Sequence, residues 1–334
     1  MSHTDPAPTS SAASSPTSSP TSSPTSSTEP VDRRLVQIRV AAWASIVANI
    51  VIVVTGGAVR LTASGLGCPT WPRCTSTSFT PEAHLHGIIE FSNRMLTYVL
   101  VAIAIWTVVA AWRTGRRDLK RVAVWLALGI PAQAVLGGIT VLTDLNPWIV
   151  AGHMILSMAL ICTAVLLLQR VARPTPARGG AGVVLAWLTF AAGWIVIYLG
   201  TVVTGAGPHA GDADAPRNGL DPLQVSQLHA DAVFLFIGVS VGLLVCLVAL
   251  RQPRAAVRAA AVLLVVEAAQ SVIGFVQYFT GLPIVLVGAH MLGSAVIAAT
   301  MTWVLLHVRH PEVTTQHPGG ERPQSDDALA TRSA

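Results

Sequence analysis

The sequence predicts an all-α polytopic membrane protein whose eight transmembrane helices form two pseudo-symmetric four-helix bundles. Three observations predict it. Hydrophobic residues make up 52% of the chain and charged residues only 11%, against about 25% charge in a soluble domain. Eight apolar runs approach the roughly 20 residues a helix needs to cross the hydrocarbon core. A stretch of the first half also recurs in the second. "QAVLGGITVLTDLNPWIVAGHMILS" from Gln133 and "QSVIGFVQYFTGLPIVLVGAHMLGS" from Gln270 repeat Gln, Gly, Thr and His at identical offsets, with His153 and His290 each twenty residues after their Gln.

The elements follow in order. Residues 1–34 begin with about thirty that are almost wholly Ser, Thr, Pro and Ala; they cannot bury a core and are expected to form a disordered cytoplasmic tail. They are not a secretory signal, because the first apolar run starts only near Val40 and more runs follow. The predicted spans are 40–59, 87–112, 121–142, 149–171, 183–204, 226–250, 257–279 and 284–307. Arg33, Arg34 and Arg39 are expected to precede the first span. Further basic residues crowd the second–third, fourth–fifth and sixth–seventh connections: Arg113, Arg116, Arg117, Lys120 and Arg121; then Arg170, Arg173 and Arg178; then Arg251, Arg254 and Arg258. The positive-inside rule therefore puts both termini in the cytoplasm, and Arg60–Pro81, Asp144–Trp148, Gly205–Pro222 and Thr280–Pro283 outside. "VVTGGAV" at Val53 and "VVTGAGP" at Val202 close the first and fifth spans alike. The halves, 35–175 and 176–308, run in the same direction because four spans return a chain to its starting side. A polar tail, 309–334, is expected to be disordered. The net charge of +5 does not indicate a nucleic-acid partner, since the cations sit in short clusters between apolar runs.

The histidines carry the chemistry. His153, His229 and His290 lie one or two turns inside the outer ends of the fourth, sixth and eighth spans. A lone membrane histidine can simply hydrogen-bond a neighbouring helix, but three at similar depth mark a function. Facing imidazoles in an apolar bundle suit haem iron. His229 and His290, both from the second half, could hold one haem from its two faces. No Cys or carboxylate completes a zinc or copper site beside them. In the first half, aligning the second span with the sixth sets Asn93 opposite His229, and an amide is a poor iron ligand. His86 lies seven residues earlier, about 10 Å along the axis. A first-half haem would then be held by His153 alone, or with His86 in a shifted pose.

"HLHGIIEFSNRMLT", from His84, also brings Glu90 and Arg94 into the second span. Glu90 is read either as the i, i+4 ion-pair partner of Arg94 or as a proton acceptor beside a substrate. In the outward loop "GCPTWPRC", Cys68 and Cys74 favour a disulfide; their C-x5-C spacing is unlike a zinc motif. His209, Asp212 and Asp214 could bind a metal, against the alternative of a solvated loop. Cys162 and Cys246 read as packing residues, and Gln133 and Gln270 as helix-bridging amides. His3, His307, His310 and His317 receive no role.

"TGGAVRLTASGLGCPTWPRC", "IIEFSNRMLT", "GHMILS" and "GAHMLGS", in that order along residues 35–308, resemble the haem A synthase family. The resemblance implies an oxidoreductase that converts the ring methyl of haem O to a formyl group, making haem A for cytochrome oxidase. It implies haem B between His229 and His290, substrate haem O on His153, and Glu90 as the essential glutamate. The family pattern places a His three residues after that Glu. This chain has Asn93 there, as in actinobacterial-like members. Arg94 becomes a candidate for a haem propionate. A haem O synthase supplying haem O, the bilayer of the cell membrane and an unidentified electron acceptor are the implied partners, with a homo-oligomer left open. The competing readings are a non-catalytic di-haem b-type electron carrier and a transporter built on the internal repeat.

Overall fold

A computed structural model describes residues 32–172 and 179–310. The tails expected at the two ends lie almost entirely outside these residues, as do Arg173, Arg178, His3 and His317. The described chain is helical, with no strand: α1 (Arg33–Leu61), α2 (Leu85–Arg113), α3 (Arg117–Leu142), α4 (Pro147–Val171), α5 (Ala181–Ala206), α6 (Pro222–Ala249), α7 (Arg254–Phe279) and α8 (Ile284–Arg309). Each is long and apolar enough to cross a membrane, and the protein is a multi-pass membrane protein.

The helices run past the apolar runs. Arg33, Arg34 and Arg39, expected ahead of the first span, occupy the first two turns of α1, and Arg117, Lys120, Arg254 and Arg258 likewise lie inside helices. The tail boundaries shift accordingly, since α1 claims Arg33 and Arg34 and α8 claims Arg309. The reason is that hydropathy marks only the hydrocarbon-crossing part of a helix. Its backbone stays hydrogen-bonded into the headgroup zone, where long basic side chains reach water. Local capping sets several starts. Asn146 accepts from Trp148 N–H ahead of Pro147, and Asp221 accepts from the N–H groups of Leu223 and Gln224 ahead of Pro222. A proline in the first turn costs nothing because its missing N–H would be unpaired there.

In the first half, α1 packs on α2 and α4, and α3 on α2 and α4. In the second, α5 packs on α6 and α8, and α7 on α6 and α8. Each set of four closes a ring. The rings meet through α1 and α4 on one side and α5 and α8 on the other. One core centres on the second ring but includes Val53, Met158 and Ile161 of the first; the other centres on the first ring and includes Leu306. Large apolar side chains such as Trp43, Tyr98, Trp125 and Phe279 point outward, as a lipid-facing surface requires.

The loops joining α1–α2 and α5–α6 interlock at one end of the molecule. Gly65 N–H donates to Gly211 O at 2.8 Å. The Arg60 guanidinium donates to His209 O at 2.5 Å and to Thr204 O at 2.9 Å. His209 shares a hydrogen bond with Leu282 O at 3.0 Å, and Leu145, Ala210 and Ala215 make a small apolar cluster beneath.

Candidate functional site

In the second ring, α6 and α8 bring the His229 and His290 rings together edge to face, with centroids 6.5 Å apart and planes at 76°. A metal bound to two imidazole nitrogens at about 2 Å each separates the ring centroids by roughly 6–6.5 Å. The pair therefore has the spacing of two axial ligands. Glycines on the flanking helices make room for the rings. A Cβ at Gly200 of α5 would lie 3.3 Å from His229 Cε1, and one at Gly274 of α7 would lie 3.3 Å from His290 Cε1. In the first ring, a Cβ at Gly137 of α3 would lie 3.2 Å from Cε1 of His153 on α4. Nδ1 of His153, of His229 and of His290 is buried without a hydrogen-bond partner. Buried imidazole nitrogens left without protein partners are costly, and iron coordination is one way to satisfy such a ring.

The helix-bridging glutamines place two of these histidines. Gln133 Nε2 donates to His153 O at 3.2 Å and to Ser157 Oγ at 2.6 Å; Gln270 Nε2 donates to His290 O at 2.9 Å. The recurring Gln and His, twenty residues apart, are therefore in contact across α3–α4 and α7–α8.

No imidazole faces His153 from the Asn93 position. Asn93 Oδ1 accepts from Thr55 Oγ1 of α1 at 2.8 Å. His86 is held at the start of α2, where its Nδ1 shares a 2.9 Å hydrogen bond with Ser64 Oγ. Among the described residues no group of three or more His, Cys, Asp or Glu side chains forms a metal cluster. His209 and Asp212 instead bond to Leu282 O and to the Asp214 N–H.

Glu90 and Arg94 make the ion pair expected from their spacing, at 2.6 Å. Arg94 does more than that. Its Nε and Nη2 donate to Glu90 Oε1, Nη2 also to Cys68 O at 2.9 Å, and Nη1 to Thr70 O at 3.0 Å and Arg73 O at 3.2 Å. All five guanidinium N–H groups are thus engaged by Glu90 and the carbonyls of the disulfide loop. The other Glu90 oxygen, Oε2, accepts from Cys68 N–H at 2.6 Å. Glu90 is 5% exposed.

Cys68 and Cys74 form a disulfide, and both are buried. The loop they close lies against the first ring. A Cβ at Gly67 would sit 2.4 Å from His86 O, and one at Gly138 would sit 2.5 Å from the Trp71 ring. Gly137 and Gly138 thus serve adjacent sides of α3, one facing His153 and the other the loop. Sequence reasoning missed Trp71, Ser64 and Thr55. Gly137 and Gly274, which recur in the repeat, lie where His153 and His290 come closest to a flanking helix.

A family model for the COX15-CtaA cytochrome oxidase assembly proteins matches residues 39–216. That stretch contains Cys68, Cys74, Glu90 and His153. Proteins named heme A synthase are similar to this chain. The one from Halalkalibacterium halodurans is 32% identical over 165 residues, covering 46% of this chain and 55% of that protein. The one from Staphylococcus epidermidis is 26% identical over 206 residues, 55% of this chain and 68% of that protein. The one from Lysinibacillus sphaericus is 31% identical over 177 residues, 48% and 56% respectively. The chain thus spans little more than half the length of two of these relatives. With more than half of its own 334 residues matched by the family model, the chain belongs to the COX15-CtaA family of cytochrome oxidase assembly proteins.

Proposed function

We propose that this protein is a haem A synthase, a membrane oxidoreductase that converts the ring methyl of haem O to the formyl group of haem A. The observation that carries the reading is the 6.5 Å separation of the His229 and His290 rings, in a family whose similar members bear that name. On this reading the halves 35–175 and 176–308 are related four-helix units with separate tasks. His229 and His290 hold haem B, which supplies one-electron redox chemistry when bound. His153 holds substrate haem O in the first unit. The ligand opposite it is either absent or His86, whose Nδ1 is engaged by Ser64 and whose Nε2 is the nitrogen left to bind. Two fixed ligands suit a resident group, and a single one suits a substrate that must leave.

Turning a methyl into a formyl group with an oxygen from water releases four electrons and four protons. The electrons need an acceptor outside the chain. Glu90 is the proton acceptor on the first unit's side. Its oxygens are held by Arg94 and Cys68 N–H, so taking a proton loosens its hold on the disulfide loop. Substrate turnover and loop mobility are then linked through one carboxylate. The clustered cations at the α2–α3 and α6–α7 ends support a multi-pass arrangement in the cell membrane with both termini cytoplasmic.

The test is expression together with a haem O source, followed by pigment extraction. Haem A in the extract is expected, and haem O should persist with Glu90→Gln. Haem B alone from the wild-type chain would overturn the synthase reading in favour of an electron carrier.

A further inference from the structure

The likeness between the halves breaks at one buried pair. Aligning His153 with His290 sets Ile130 of α3 against Glu267 of α7, and aligning Asn93 with His229 sets Ala104 of α2 against Ser240 of α6. Ile130 and Ala104 are buried apolar residues; Glu267 is 2% exposed and Ser240 1%. Ser240 Oγ donates to Glu267 Oε1 at 2.7 Å, while Glu267 Oε2 is buried without a partner. Glu267 stands thirteen residues from Arg254 and twelve from Phe279, the two ends of α7. A carboxyl group in mid-span is costly and marks function by default.

It shares its face with two buried amides. Gln270, Gly274 and Gln277 follow Glu267 at i+3, i+7 and i+10, one stripe of the helix. Gln270 Oε1 and Gln277 Oε1 are also buried and without partners. Room is made for Gln270 by Gly293 of α8, where a Cβ would lie 2.0 Å from Gln270 Oε1. The first half has Leu156 at the position of Gly293, and its Gln133 bonds Ser157 Oγ as well through Nε2, while Gln133 Oε1 is likewise without a partner. From Glu267 to Gln277 the stripe climbs about 15 Å and stops two residues short of the helix end. Three buried acceptor oxygens lie in a row with no protein partner, and internal water is the partner that commonly satisfies such groups.

We propose that Glu267, Gln270 and Gln277 line a file of internal water entering the second ring at the Tyr278 end of α7, and that Glu267 holds the proton that accompanies an electron into this ring. The inference rests on His229 and His290 being haem ligands. One electron enters from the substrate side, and one proton passes along the water file to convert the Glu267 carboxylate to the carboxylic acid. Both leave when a one-electron acceptor takes the electron. Pairing the two charges avoids an uncompensated charge in a low-dielectric interior, where its Coulomb cost is highest. The helices packed on α7 are α6 and α8. Toward the Tyr278 end they carry His229, Asp231 and His290. Toward the Arg254 end they carry Cys246, His307 and Arg309. On α7 itself, Arg254 and Arg258 lie near one end and Tyr278 near the other. Glu267 is the carboxyl group at mid-height.

The test is a redox titration of the purified full chain in lipid nanodiscs at several pH values, read from the bis-histidine haem absorbance, with reduced-minus-oxidised infrared spectra. The wild-type potential should fall with rising pH, toward the 59 mV that a tenfold change represents for one electron. A carboxyl C=O band that shifts in D2O should accompany reduction. Glu267→Gln should flatten the slope and remove the band. Gln277→Leu should keep the band but slow its exchange with D2O at least tenfold. A Glu267→Gln protein with an intact bis-histidine spectrum, wild-type slope and wild-type band would overturn the inference. If Glu267→Gln fails to retain haem, Gln277→Leu decides, and unchanged exchange there overturns the water file. A wild-type chain without a bis-histidine spectrum would instead overturn the haem assignment on which the inference rests.

Discussion

Arg94→Ala should release the disulfide loop from the first ring. The substitution removes every hydrogen bond from the guanidinium to Glu90, Cys68 O, Thr70 O and Arg73 O. Breaking a buried ion pair by deleting one partner costs about 3–5 kcal/mol, because the remaining charge is left uncompensated. The Arg94 side chain is 19% exposed, and water reaches the Arg73 carbonyl, so the lower end, about 3 kcal/mol, applies. The Cys68 and Cys74 sulfurs are buried and become accessible only when the loop lifts. A loss of about 3 kcal/mol raises the lifted fraction roughly 150-fold, at 1.36 kcal/mol per tenfold. The assay is the rate of reduction of the disulfide by a water-soluble phosphine in nanodiscs, followed by thiol labelling. Arg94→Lys should fall between the two, since one ammonium cannot span a carboxylate and three carbonyls. A reduction rate within threefold of wild type for Arg94→Ala would refute the clamp.

Other substitutions test neighbouring contacts. Gly67→Ala places a methyl group 2.4 Å from the His86 carbonyl; the rigid backbone there should cost about 1–3 kcal/mol, seen as a fall of several degrees in the unfolding midpoint. Gly138→Leu evicts Trp71 from α3 and should speed tryptic cleavage after Arg73, with unchanged cleavage counting against the packing. His229→Ala and His290→Ala should each abolish a bis-histidine haem spectrum, whereas His153→Ala should leave it in place. Gly137→Val crowds His153 Cε1 and should lower haem O retention without changing that spectrum.

The membrane spans were legible because apolar length is a one-dimensional signal. The ends of α1, α3 and α7 were not, since their basic residues look like loop until the backbone hydrogen bonds are seen. Glu90–Arg94 was legible as an i, i+4 pair. Its larger partnership was hidden because Cys68, Thr70 and Arg73 lie more than twenty residues away in a loop without periodicity. The repeat placed Gln133 and Gln270 beside their histidines in outline. It could not show that Gln270 packs against Gly293, because that depends on which side chain fills a gap across helices.

The interlocked loops bear on how a chain with this internal repeat can change. Gly65 meets Gly211, and Arg60 reaches across to His209 and Thr204, so each loop is shaped to a partner unlike itself. Two copies of the first half would present two disulfide loops to each other, and two copies of the second none. The disulfide loop and the loop it meets are therefore not interchangeable. Every later substitution at that end is judged by a heterologous fit, which leaves the two rings free to drift toward different chemistry while remaining one molecule.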